Sequence, residues 1–152
     1  MKEPKVTWVD SWRDIPCKNP IHSLHGWSDP KTGEIYAIRG VTSKADVEHE
    51  KYHTMKRHPD KPRNYRDYAL QEIEATKYSY DKVGQPAHIK EKLRGIINDM
   101  MPTYEYNVKL SQIIESLKDA LDAVIAPKTW YQDLNAVEIE ARKKCRKEKV
   151  EY

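Results

Sequence analysis

The sequence predicts an α+β fold, a small N-terminal antiparallel sheet followed by four to five helices. Three observations predict it. Turn formers and β-prone runs share the first 40 residues, apolar residues recur at helical spacing from Ser43 onward, and Pro59, Pro86, Pro102 and Pro127 punctuate that second part.

The sheet region begins with Val6-Thr7-Trp8-Val9, a short β-prone run. Ser28-Asp29-Pro30-Lys31-Thr32-Gly33 is a turn cluster, because Pro and Gly supply the backbone angles a reversal needs. Ser23 to Trp27 flank it on one side and Glu34 to Arg39 on the other. The second flank alternates polar and apolar residues in part, so the pair predicts a β-hairpin, ended by Gly40.

The first helix is expected to start near Ser43. Asp46, three positions on, makes a capping-box-like start. The helix must end by about His58, because Pro59 disfavours a helical residue before it. A second helix is expected over Tyr65 to Val83, with Gly84 as C-terminal cap and Pro86 blocking continuation. A third runs from about Ala87 to Met101, with Ile89, Leu93, Ile96, Ile97 and Met100 on one side. A fourth runs from about Val108 to Ile125, with Leu110, Ile113, Ile114, Leu117, Leu121 and Val124 at helical spacing. Leu134 to Lys149 is helical by propensity, but mostly charged beyond Ile139. The reading sets residues 1–126 as one domain and 127–152 as a C-terminal helical extension, whose Trp130, Tyr131 and charged helix could fold back over a cleft.

Composition narrows the function classes. At 152 residues the chain is long enough for one real core, and the 38% hydrophobic content makes that core modest. Phe is absent, so ten Tyr and four Trp supply the aromatic bulk. A net charge of +3 with interleaved signs makes nucleic acid an unlikely main partner. Arg142-Lys143-Lys144-Cys145-Arg146-Lys147 is the one dense basic run, and a solvated helix end is its simplest reading. Cys17 and Cys145 form no CxxC pair and read as two free thiols of a reducing compartment. No apolar run reaches membrane-spanning length and no signal-like core follows Met1, so a cytoplasmic protein without a membrane partner is expected.

The chemistry lies in His49-Glu50-Lys51-Tyr52-His53, an HExxH motif. Residues four apart on a helix stand one above the other, so both imidazoles can reach one zinc ion (Zn2+). Glu50 points aside, yet can reach a metal-bound water as general base. A catalytic site needs a third protein ligand and one open position. The second helix offers Glu72 and Glu74. Glu72 shares the more apolar face, with Tyr68, Ala69, Ile73, Thr76 and Tyr80. Glu74 shares the more polar one, with Asp67, Gln71, Tyr78 and Asp81. A carboxylate facing inward is costly without a compensating cation, which favours Glu72 as the ligand.

The HEKYH run followed by Glu72-Ile73-Glu74-Ala75 on the next helix resembles the gluzincin metallopeptidases. In several compact branches of that group the third ligand stands in an ExxA pattern. These include the integral-membrane prenyl-protein endopeptidases, the repressor-cleaving metallopeptidases and the archaeal minimal gluzincins. The resemblance covers Ile35 to Ser79. It implies a zincin-like fold and hydrolysis of a peptide or protein substrate. It makes His49, His53 and Glu72 the zinc ligands and Glu50 the base. It also implies a sheet whose edge strand docks an extended peptide, and Glu34 to Arg39 is the expected edge. Thr76 stands where those families often carry Asp or Asn.

Other candidates carry less. His58 has the wrong spacing from His49 for a third histidine ligand, and His22, His25 and His88 read as structural or solvent-facing. Tyr78, Tyr80 and His58 are candidates for oxyanion stabilisation, among which the sequence does not choose. Two rival readings stand beside the peptidase. One is a catalytically silent gluzincin-fold regulatory or binding protein. The other is a nucleic-acid-associated protein using the basic run.

Overall fold

The computed structural model describes residues 3–18, 20–22, 26–56, 64–84, 88–101 and 108–149. The expected positions His25 and His58 lie outside them. The chain is α+β and mostly helical, and it divides into two compact units. One holds residues 1–58 and 78–85, the other 59–77 and 86–152. The residues on either side of 126 belong to the same unit.

The first unit contains β1 (Val6–Val9), β2 (Ile21–His22), β3 (Gly26–Ser28), β4 (Ile35–Ile38) and α1 (Lys44–Met55). The strands form one small sheet in the order β1-β4-β3-β2. β3 and β4 pair antiparallel, with Trp27 opposite Tyr36, which is the expected hairpin. Asp29 closes its turn, accepting at Oδ1 from the Lys31 amide at 2.8 Å. The expected purely antiparallel sheet is corrected at β1, which pairs with β4 in parallel, Val6 opposite Ile35 and Val9 opposite Ile38. The sheet is therefore mixed. This pairing joins segments far apart in the chain, which local turn chemistry cannot announce.

The expected edge is also corrected. β4 is an inner strand between β1 and β3. Ile35, Tyr36 and Ala37 are all buried, so both faces of β4 are covered. The unbroken apolar run Ile35-Tyr36-Ala37-Ile38 was the available signal, since a strand covered on both faces lacks polar alternation.

α1 packs on β3 and β4. Its start is fixed by the expected capping box. The Ser43 hydroxyl accepts from the Asp46 amide at 3.1 Å, and Asp46 Oδ2 accepts from the Ser43 amide at 2.9 Å. Two donors at the helix end are thereby satisfied. Ala45, Val47 and His49 are buried along the helix.

The second unit contains α3 (Ile89–Met100), α4 (Leu110–Ala123) and α5 (Lys128–Glu148). The helix α2 (Tyr65–Val83) is continuous, and its residues 78–83 belong to the first unit. The stripe expected on α3 is buried, with Leu93, Ile96, Ile97 and Met100 at 3% exposure or less. α4 buries Leu110, Ile113, Ile114, Leu117 and Leu121. α5 starts at Lys128, earlier than the expected Leu134, with Pro127 at its N-cap and the Trp130 amide donating to the Pro127 carbonyl at 3.0 Å. α5 packs on both α3 and α4, and its Trp130, Leu134, Val137 and Cys145 are buried. The Arg142 to Lys147 run forms its last turns, where cations face the negative end of the helix dipole. Arg94 makes a bidentate pair with Glu140, at 2.8 and 3.0 Å. No helix among the described residues is long and apolar enough to cross a membrane.

Candidate metal centre

His49 and His53 stand one turn apart on α1. His49 is buried and His53 half-buried. Their rings meet edge to face at 70°, with centroids 4.8 Å apart. The two Nε2 atoms approach to 3.1 Å. Glu72 on α2 supplies the third donor: one ligand atom from each of His49, His53 and Glu72 lies within 4.8 Å of the others. Among the described His, Cys, Asp and Glu residues this is the one group of three or more so placed. Glu74, equally half-buried, is not part of it. Of the two glutamates that the second helix offers, Glu72 is the one whose ligand atom lies near the histidines.

These donors fit a cation. Zinc–nitrogen bonds of about 2.0–2.1 Å at tetrahedral angles put neighbouring ligand atoms about 3.3 Å apart. The Nε2 pair already stands at 3.1 Å. Two neutral imidazoles and one carboxylate are the donor set of a catalytic zinc site with room for a further ligand.

The surroundings hold the two helices in place. The Thr76 hydroxyl donates to the Glu72 carbonyl at 2.7 Å, one turn back on the same helix. Thr76 is fully buried. The Ser79 hydroxyl donates to the Ala45 carbonyl of α1 at 2.5 Å. The Tyr52 and Tyr78 rings meet at 5.1 Å, Lys56 lies over the first and Lys82 over the second. Lys51, inside the motif, is only 16% exposed at its side chain and pairs with Glu48 at 3.3 Å and Glu3 at 3.7 Å. Its carboxylate partners hold its pKa up against the opposing effect of burial, which is the largest single influence.

Glu50 is half-buried on the same helix, and among the described residues its carboxylate engages in no hydrogen bond or ion pair. Tyr78, a candidate for oxyanion stabilisation, has its ring against Tyr52, while Tyr80 is half-buried further along α2. His22 lies on β2, and His88, exposed just before α3, does not join the metal group. Cys17 and Cys145 are both free thiols. Ser79 escaped the sequence reading. A serine in a helix interior, two turns from Glu72 and on its face, was the signal, because such a hydroxyl must find a carbonyl when buried.

Comparisons of the chain with protein-family models, curated proteins and solved structures find no match.

Proposed function

We propose that the protein is a zinc-dependent metallopeptidase, in which His49, His53 and Glu72 hold the ion. The observation that carries this reading is the grouping of those three ligand atoms within 4.8 Å. Zinc follows from the donor types, since imidazole with carboxylate suits it and thiolate is absent from the group. When bound, zinc acts as a Lewis acid, acidifying a water molecule and polarising the scissile carbonyl.

Glu50 has the chemistry of the base. Its carboxylate has no competing partner among the described residues. It takes the proton of the attacking water and delivers it to the leaving amine, which completes hydrolysis of one peptide bond. A site that served structure alone has no use for a free carboxylate at this position. The substrate class is a peptide or protein, as the resemblance of the motifs implies.

Glu50→Gln tests the assignment. The variant keeps the shape of the side chain and its neutral form cannot accept the proton. Zinc content measured by elemental analysis is expected to match wild type. Cleavage of an unfolded protein is expected to fall at least about 100-fold, within the range of a lost general base. Equal cleavage by the two proteins removes Glu50 from this role.

A further inference from the structure

We infer that Ser79 is a positioning residue for the proposed zinc centre: its buried hydroxyl sets the register of α2 against α1, and so of Glu72 against the two histidines. The inference rests on the metal reading above and adds a residue outside the ligand set.

Ser79 is 1% exposed and Ala45 6%. The hydroxyl of one donates to the backbone carbonyl of the other at 2.5 Å. In α-helical geometry the Ala45 carbonyl also accepts from the amide of His49, one turn on. Ser79 therefore grips the turn that carries the first ligand. An α-helix rises about 1.5 Å per residue. Measured along α1 from Ala45, His49 stands about 6 Å away and His53 about 12 Å. Measured along α2 from Ser79, Glu72 stands about 10 Å away, a span of the same order, and its ligand atom lies within 4.8 Å of those of both histidines. Seven residues also bring a helical side chain back within about 20° of the same face. One hydrogen bond thus fixes the height at which the carboxylate meets the imidazole pair.

Metal sites tolerate little slack, since ligand atoms must be held within about 0.5 Å of their working places. A residue slip of α2 amounts to about 1.5 Å. The Tyr52–Tyr78 ring contact is apolar and tilted, and it permits sliding that a hydroxyl–carbonyl bond does not.

The test measures zinc affinity, by competition with a chromophoric chelator, and the visible absorption of the cobalt(II)-loaded protein. The full chain is used as wild type, Ser79→Ala, Ser79→Thr and Ser116→Ala. Ser116 is the control for loss of a buried serine hydroxyl, because it is 4% exposed and donates to the Gln112 carbonyl at 2.9 Å within α4. Ser79→Ala is expected to bind zinc about tenfold more weakly and to shift the cobalt bands, the size typical of a lost partner behind metal ligands. Ser79→Thr, which keeps the hydroxyl, holds affinity near wild type, and Ser116→Ala leaves affinity and spectrum unchanged. Wild-type affinity in Ser79→Ala, or an equal loss in Ser116→Ala, overturns the positioning role while leaving the metal centre standing. A wild-type protein that takes up no zinc overturns the centre and this role together.

Discussion

The Nε2 atoms of His49 and His53 face each other across 3.1 Å. At that distance one ring must donate to the other, or both must direct lone pairs at a shared cation. With Glu72 in the same group, a shared cation would engage all three donors at once. One zinc per chain is the expected stoichiometry. His49→Ala and His53→Ala are each expected to weaken binding by at least about 100-fold, beyond what even supporting residues cost. Glu72→Gln weakens it strongly, whereas Glu74→Gln does not. Chelator competition on the four variants checks this, and a Glu74→Gln loss equal to that of Glu72→Gln would break the assignment of the third ligand.

Much of this site was legible because its signals are local. The spacing of His49 and His53 dictates their shared face, and the Ser43–Asp46 box dictates that the segment is helical. Glu72 needed one further step, the cost of turning a carboxylate inward without compensation. The helical stripes of α3 and α4 were legible for the same reason. The parallel pairing of β1 with β4 was not, because nothing in four residues of Val6–Val9 names a partner far along the chain. Ser79 was legible only in part: a serine in the interior of α2 announces a hydroxyl that must find a carbonyl, but its acceptor is a backbone group on another helix, which no side-chain pattern marks.

Gly33 brings the hairpin turn close against Thr54 of the motif helix. Gly33 has φ +75°, and a Cβ placed there stands 2.6 Å from Thr54 Cγ2. Gly33→Ala therefore carries both backbone strain and a clash, together about 2–3 kcal/mol of lost stability. Thr54→Ser removes the offending methyl. In the double variant the clash disappears and a backbone cost of about 1–2 kcal/mol remains. A double-mutant cycle in urea checks the coupling, and strictly additive effects would show that the two residues do not meet.

Tyr36 makes the alkaline limit of stability a property of the sheet. It is buried at 2% exposure and its hydroxyl donates to Glu34 Oε2 at 3.1 Å. Burial, then the Glu34 carboxylate, push its pKa up to about 12. In the unfolded chain a tyrosine ionises near pH 10. Between those two values the unfolded chain has released the proton and the folded one has kept it, so stability falls as pH rises through that window. Below pH 10 this contribution is fully present. Absorbance titration near 295 nm is expected to show Tyr36 ionising late, in a region shared with Tyr131, whose pKa its hydrogen bond to Asp122 also raises, and Tyr36→Phe removes one tyrosine from that late region and flattens the decline.

Ile125 closes α4 in a conformation that its side chain resists. Its φ is +53°, and it is 85% exposed. The Ala126 amide donates to the Leu121 carbonyl at 3.0 Å and the Ile125 amide to the Asp122 carbonyl at 3.2 Å, the bonding pattern of a Schellman helix end. That pattern favours glycine at the left-handed position, and a β-branched residue there is strained by about 1–2 kcal/mol. Exposure means that almost no packing is given up when the side chain goes. Ile125→Gly is expected to stabilise the protein by about 0.5–1 kcal/mol, after glycine's greater freedom in the unfolded chain is subtracted. The melting temperature rises by about 2–3 °C, read by calorimetry on the metal-free protein. A melting temperature that falls instead would mean that Ile125 makes contacts worth more than its backbone strain.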